Sequence, residues 1–219
     1  MRIAYTGSKG QLGRALENVL GAKELLGLDL PEHDITDPHA IVRTIVDFRP
    51  DVVVHGAAMT NVDGCERNPE LAFRINALGT QNVAVACQHC GAAMVHVSTN
   101  DVFDGRLGRP YYEWDTPTPL STYARSKAAG EFYVRNLLQQ FYLVRTAWVY
   151  APHGHNFLRT MLRVGADRDE LRVVSDQVGS PTPASLIADI SATLLRDTSS
   201  GASGPGRILH LTAGGATSW

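Results

Sequence analysis

Thr6-Gly7-Ser8-Lys9-Gly10-Gln11-Leu12-Gly13 follows directly on the apolar run Ile3-Ala4-Tyr5. Its glycines are spaced Gly-x-x-Gly-x-x-Gly. A backbone without Cβ atoms lets a pyrophosphate approach closely. A helix starting there offers free N–H groups and the positive end of its dipole. Gly13 lets that helix pack tightly on the strand. Glycine spacing alone is a weak signal; a strand before it and a helix after it give it weight. Gly7, Gly10 and Gly13 are therefore candidate dinucleotide-binding residues. The unit also wants an acidic side chain about 20 residues on, at the end of the second strand. Asp29 stands there, after Leu25-Leu26-Gly27-Leu28. A carboxylate accepts from a ribose 2′-hydroxyl and repels a 2′-phosphate, and no arginine follows closely. The expectation is a site that takes NADH at least as readily as NADPH. Asp34-Ile35, before the next helix, is placed to flank an adenine.

Moving outward, short apolar runs alternate with helical patterns. Strands are expected at Ile3–Tyr5, Leu25–Leu28, Val52–Val54, Met94–Val97 and Leu143–Ala147. Helices are expected near Gln11–Leu20, Pro38–Phe48, Glu70–His89 and Tyr123–Gln139. The runs are short and branched, as in strands buried on both faces. Their alternation with helices implies βαβ units and a parallel sheet. The expected fold is α/β, a doubly wound parallel Rossmann sheet. After Tyr150 the pattern changes to a helix at Asn156–Val164, a strand at Arg172–Val174, a loop at Ser175–Pro183, a helix at Ala184–Leu195, a loop at Thr198–Gly206 and an apolar run at Ile208–Leu211. The chain thus reads as a dinucleotide-binding part, residues 1–150, followed by residues 151–219. The second part supplies the last sheet elements and a small, incomplete substrate-binding region.

Tyr123-Ala124-Arg125-Ser126-Lys127 sets a phenol and an ammonium one helical turn apart, on one face. Seven tyrosines and three lysines in 219 residues give roughly 0.1 such pairs by chance. The pair suits ketone reduction, which needs a proton for the developing alkoxide. A phenol near pKa ~10 is a poor acid at neutral pH, and a neighbouring cation is expected to lower it. Lysine can also hold a nicotinamide ribose. Ser98 and Thr99 end the Met94–Val97 strand, where open α/β sheets place ligands. A hydroxyl there orients a carbonyl toward Tyr123. Gly56-Ala57-Ala58 leaves room for a cofactor after Val52–Val54.

Composition narrows the class. Hydrophobic residues make up 44% and charged residues 19%, with a net charge of −2, as in an ordinary globular protein. No basic block points to nucleic acid, and no apolar run approaches the roughly 20 residues of a membrane span. No signal segment precedes the glycine loop, so a cytoplasmic location is expected. Cys65, Cys87 and Cys90 are an odd count, read as buried free thiols rather than a disulfide framework or a metal site.

Taken together, these segments resemble the dTDP-4-dehydrorhamnose reductase family. The likeness runs from Ile3 to Trp219. It is carried by Gly7–Gly13, His55–Asp63, Ile75-Asn76-Ala77, Ser98–Gly105, Tyr123–Lys127, Arg145-Thr146-Ala147-Trp148-Val149-Tyr150, Asn156-Phe157 and Asp176–Thr182. The resemblance implies a Thr99, Tyr123 and Lys127 catalytic set. It places Gly10, Gln11, Leu12, Asp29, Asp34, Ile35, Ala57, Ala58 and Thr60 around NADPH or NADH. It puts Trp148 against the sugar, Asn156 near the phosphates and Asn100 at the substrate. The implied reaction is reduction of a 4-keto nucleotide sugar. The family pattern has Asp-Tyr after its Ser-Thr where this chain has Asn100-Asp101, a signal of a different sugar contact. Some members dimerise through magnesium held by glutamates. Ala15 and Ser185 occupy those positions, so a homodimer is not expected to use a metal. On the same scaffold, a nucleotide-sugar epimerase and a non-catalytic subunit like the regulatory partner of methionine adenosyltransferase are the alternatives.

Overall fold

The computed structural model describes residues 1–20, 24–199 and 206–219. Six parallel strands form the central sheet: β1 (Arg2–Thr6), β2 (Glu24–Leu28), β3 (Val52–His55), β4 (Ala93–Thr99), β5 (Phe141–Thr146) and, last in sequence, β9 (Arg207–His210). Their order is β2-β1-β3-β4-β5-β9. Every neighbouring pair is parallel. The chain leaves β1 toward β2 and returns to β3 on the other side. That reversal opens a crevice at the carboxyl ends of β1 and β3, where the glycine loop lies.

Alternation along the strands builds two cores. Ile3, Tyr5, Val52, Val54 and Val95 face α1 (Gln11–Val19) and α8 (Ala184–Ser199), meeting Leu16, Ile187 and Leu195. Ala4, Val53 and Met94 face α2 (Pro38–Phe48), α5 (Thr80–Cys90) and α6 (Thr122–Leu137), meeting Ile41, Ile45, Val83 and Val134. A period of two sends neighbouring residues to opposite faces, so the central strands carry apolar residues at successive positions, as in Ile3-Ala4-Tyr5 and Val52-Val53-Val54. Beyond the main sheet, two small ribbons join β6 (Val149–Tyr150) to β8 (Thr182–Pro183) and β7 (Val178–Gly179) to β10 (Thr217–Ser218). Helix α7 (Phe157–Ala166) lies between β6 and β7 in sequence and has no buried residue. No helix among the described residues is long and apolar enough to cross a membrane.

Four local expectations need correction. The loop expected at Ser175–Pro183 contains the short strands β7 and β8, each paired outside the main sheet. The single helix expected over Glu70–His89 is α4 (Pro69–Phe73), a π-helical turn (Arg74–Gly79) and α5. A further short helix, α3 (Val62–Arg67), precedes it. Residues Arg172–Val174 form no strand. They are exposed and have no ladder partner, so their branched side chains gain nothing from extension. The loop expected at Thr198–Gly206 begins inside α8, and residues 200–205 of it lie outside the described residues.

The π-turn is where α6 meets the helical segment most closely. A Cβ added at Gly130 of α6 would stand 2.6 Å from the Asn76 carbonyl oxygen and 3.2 Å from the Thr80 hydroxyl oxygen. Gly130→Ala is therefore expected to destabilise the fold by about 1–3 kcal/mol through overpacking. At this chain length that corresponds to a fall in Tm of roughly 2–4 °C per kcal/mol. A thermal melt indistinguishable from wild type would show that α6 can move away at no cost.

Candidate active site

The glycine loop is built as its spacing implies. Gly7 has φ +72°, and a Cβ there would meet the Ala57 nitrogen at 3.0 Å. A Cβ on Gly13 would lie 2.3 Å from the Gly7 carbonyl oxygen. Any side chain at either position would push the loop off β3 or off the helix. Helix α1 starts at Gly10 with no side-chain cap. Its first N–H groups are left for a ligand or water.

Helix α6 is held firmly at its start. The Ser121 hydroxyl accepts from the Ala124 N–H at 3.1 Å. Glu66 of α3 takes the Thr122 N–H at 2.6 Å and the Thr122 hydroxyl at 2.8 Å. These bonds hold the Glu66 carboxyl below its usual range, the backbone one most strongly. One face of the helix then carries Tyr123, Lys127 and Glu131, exposed by 9%, 3% and 3%. Ionisable groups buried so deeply need partners. The Lys127 ammonium donates to the Val97 carbonyl at 2.8 Å. Burial lowers its pKa to about 8, with Glu131 pulling the other way. The Tyr123 phenol is pushed up, first by burial and then by the Asp101 charge, while a hydrogen bond from Thr99 lowers it in part. The expected lowering of the phenol by Lys127 does not arise in this arrangement. The ammonium is turned to the Val97 carbonyl, and burial and the Asp101 charge set the direction.

Behind Tyr123 lies a chain of hydrogen bonds whose proton positions follow by elimination. Thr80 has one hydroxyl proton, given to the Asn76 carbonyl at 2.8 Å. His55 Nε2, 3.0 Å from Thr80 Oγ1, must then be the donor of that pair. Its Nδ1 is left as an acceptor for the Thr6 hydroxyl at 2.7 Å, and Thr6 in turn accepts from the Ala57 N–H at 3.2 Å. Burial, followed by the charge of Lys127, pulls the His55 pKa down to about 3, so the ring stays neutral. Asn76, in the π-turn and fully buried, donates to Ser126 Oγ at 2.9 Å and to the Met59 carbonyl at 3.0 Å. It accepts from the Met59 N–H at 2.7 Å. One amide thus ties the loop after β3 to the helix bearing Tyr123. π-turns are often found at functional sites.

The remaining sequence candidates divide. Ala57 and Ala58 line the crevice floor half-buried, and Thr60 is exposed beside them. Asp29 accepts from the Lys9 N–H at 2.7 Å and the Leu30 N–H at 2.8 Å, so its carboxylate first of all holds this turn. Lys9 itself places an ammonium here, 2.6 Å from the Leu30 carbonyl and 3.0 Å from Glu32. This cation is missed in the sequence because it precedes Asp29 by a whole βαβ step instead of following it. Asp34 accepts from the Thr36 N–H at 2.8 Å. Ile35 is 6% exposed and belongs to the core. Leu12 packs partly against the core beneath the loop. Gln11 Oε1 accepts from Asn156 Nδ2 at 2.8 Å. That nitrogen also donates to the Ala151 carbonyl at 2.9 Å, and Asn156 Oδ1 caps α7 by accepting from Arg159 N–H. Asn156 is thus engaged within the protein. Asn100 opens a 3₁₀ turn after Thr99, whose hydroxyl accepts from the Asp101 N–H at 3.1 Å. Burial raises the pKa of Asp101. Trp148 adopts φ +46°, uncommon for a bulky residue. Its ring stacks on Trp219 at 3.7 Å, and Gly179 is packed so close that a Cβ would touch the indole at 2.6 Å.

Reading the sequence alone assigned no role to Asn76, Glu131 or Asp101. For Glu131 a signal was present: it stands four residues after Lys127, on the same helix face as Tyr123 and Lys127.

Known proteins with similar sequences point to one family. The family model for the RmlD substrate binding domain matches residues 1–219. The dTDP-4-dehydrorhamnose reductase of Salmonella typhimurium is 39% identical over 224 residues, covering 100% of this chain and 75% of that protein. The enzyme of that name from Mycobacterium tuberculosis is 42% identical, covering 99% of this chain and 71% of its own length. A crystal structure of dTDP-4-dehydrorhamnose reductase from Bacillus anthracis in complex with NADP superposes with a TM-score of 0.92 at 37% identity, covering 100% of this chain and 76% of that one.

Asn76→Ala would strand the Met59 N–H and an acceptor site on Ser126. The expected loss is roughly 1–3 kcal/mol for each buried group left unpaired. Urea unfolding followed by far-UV circular dichroism measures it, and an unchanged midpoint would mean the amide ties nothing together.

Proposed function

The chain belongs to the RmlD family of dTDP-4-dehydrorhamnose reductases, and from that premise we propose that it reduces the 4-keto group of a dTDP-linked sugar. The product is dTDP-L-rhamnose or a close relative. The observation that carries this reading is a single cluster at the carboxyl end of β4. There Thr99, Tyr123 and Lys127 are 6%, 9% and 3% exposed, at the same end of the parallel sheet as the glycine loop after β1 and the uncapped start of α1.

The residues present fit a nicotinamide dinucleotide. Gly7, Gly10 and Gly13 offer a surface without Cβ atoms, and the start of α1 offers unpaired N–H groups for a pyrophosphate. Gln11 and Leu12 open that helix, while Ala57, Ala58 and Thr60 edge the crevice. Asp29, Asp34 and Ile35 shape its adenosine end. Lys9, whose exposed ammonium pairs with Glu32 beside the Asp29 turn, can turn to a 2′-phosphate and so accommodates that form. That is also the form bound by the Bacillus anthracis relative. NADPH is therefore the preferred donor in this reading, and NADH the weaker one. When bound, the dinucleotide supplies the hydride.

The protein's own residues do the rest. Thr99 donates to the carbonyl oxygen and polarises it. Tyr123 gives its proton to that oxygen as negative charge develops. The buried phenol holds its proton tightly, so the proton is present across the neutral range. Lys127 holds the nicotinamide ribose. Trp148 forms an apolar wall for the sugar, with Asn100 at its edge and Asn156 toward the phosphates. In this reading residues 1–150 hold the dinucleotide, while residues 151–219 complete the sheet and begin the sugar pocket. Ala15 and Ser185 offer no carboxylate, so a homodimer forms without bridging magnesium. A cytoplasmic location follows from the nucleotide-sugar substrate.

The direct assay is NADPH oxidation with a panel of 4-keto nucleotide sugars. Tyr123→Phe keeps the ring and removes the proton; turnover is expected to fall by roughly 10²–10⁴-fold. NADPH affinity is expected to stay near wild type. Lys127→Ala is expected to weaken both. A Tyr123→Phe protein with unchanged turnover would remove this side chain from the chemistry.

A further inference from the structure

Glu131 stands one helical turn beyond Lys127, yet it is not paired with it. Its carboxylate is held from two other strands. Ser98 of β4 donates to Oε1 at 2.6 Å. Arg145 of β5 forks onto it, Nε to Oε1 at 3.0 Å and Nη2 to Oε2 at 2.7 Å. The ion pair is nearly dry, its side chains 2% and 4% exposed. Arg145 is clamped in turn: its guanidinium lies 5.0 Å over the Phe103 ring, and the Leu211 N–H donates to its carbonyl at 2.9 Å. Ser98 is the residue before Thr99, and Lys127 donates to the carbonyl of Val97, the residue before Ser98. One carboxylate therefore touches the strand end that carries Thr99 and belongs to the helix face that carries Lys127.

We propose that Glu131 is a positioning residue that keeps the Lys127 ammonium charged and aimed in a site otherwise hostile to a cation. The surroundings of Lys127 make the need plain. His55 of β3 and His96 of β4 face it as neutral rings. Tyr123, on its own helix, holds its proton. None of these groups supplies negative charge, Arg145 of β5, bonded to Glu131, adds a positive one, and burial favours the neutral amine. Glu131 is the anion whose charge opposes that loss. Its bonds to Arg145 and Ser98 prevent it from swinging onto the ammonium. A direct Lys127–Glu131 contact would draw the ammonium off the Val97 carbonyl and away from the crevice.

The consequence for cofactor binding rests on the proposed role of Lys127; the consequence for its charge does not. Lysine occurs at only three positions, Lys9, Lys23 and Lys127. Labelling lysine with ¹³C at Cε therefore gives three signals to follow by NMR against pH, with Lys127 assigned by its loss in Lys127→Met. In the wild type this signal should titrate near pH 8. Glu131→Gln keeps the shape and removes the charge, and the midpoint is expected to fall by about one pH unit or more. Because the neutral amide would leave Arg145 as a buried, unpaired charge, Glu131→Gln/Arg145→Met is the variant that secures folding. It lacks both charges, and its Lys127 midpoint should again lie below wild type. A folded double variant with the wild-type midpoint would overturn the proposal.

A second measurement follows NADPH affinity at pH 6.5 and 8. The variants should lose affinity between these values where the wild type loses less. If the Lys127 midpoint falls while NADPH binding is indifferent to it, the charge-setting role of Glu131 stands and the ribose role of Lys127 fails.

Discussion

The ion pair between Glu131 and Arg145 sits at the centre of this molecule. Two charges with less than a twentieth of their surface in water are costly to desolvate. They are tolerated because the guanidinium is planar and meets both carboxylate oxygens, and because Ser98 satisfies a further lone pair. Once buried, the pair allows little slack. Removing either partner would leave a bare charge, a loss of about 3–5 kcal/mol. Helix α6 is therefore fixed to β4 and β5 at the turn after Lys127. Its other end is fixed by Ser121 and Glu66 at the turn before Tyr123. The two residues proposed to act on the substrate and cofactor lie between these anchors.

A second set of bonds holds the same helix from the β3 side. The π-turn at Arg74–Gly79 brings Asn76 inward, where its amide bonds both the loop after β3 and Ser126 of α6. The same turn meets Gly130 with no room for a Cβ. Through Thr80 and His55 it reaches Thr6, the last residue of β1 and the one before the glycine loop. The path from glycine loop to tyrosine helix is thus a sequence of bonds with determined donors. A neutral His55 is needed for it, and burial ensures neutrality. Backbone adjustments such as a π-turn are sustained only where surrounding contacts over-determine them.

Much of the fold was legible because it depends on local pattern. Five of the sheet strands announced themselves as short branched runs, and the glycine spacing located the crevice. The Tyr123 and Lys127 pair was legible for the same reason, since residues four apart on a helix share a face. What failed depended on distant partners. Arg172–Val174 has strand-like side chains but meets no neighbouring strand. The π-turn has no composition of its own; it exists because Asn76 finds Met59 and Ser126. Lys9 was overlooked as a cation beside the Asp29 turn because only the fold brings it to Leu30 and Glu32.

By itself, then, the sequence determined the parallel α/β sheet, the glycine loop at its first turn and the helical tyrosine and lysine pair. Each of these follows from steric rules acting over a few residues. Only the tertiary structure decided the charge state and aim of those groups. It raised the phenol through burial and the nearby Asp101, where spacing to Lys127 alone implied a lowering. It turned the ammonium to the Val97 carbonyl and set Glu131 between Arg145 and Ser98. Desolvation and Coulomb interaction depend on every atom within several ångströms. Those atoms come from strands and helices far apart in the chain.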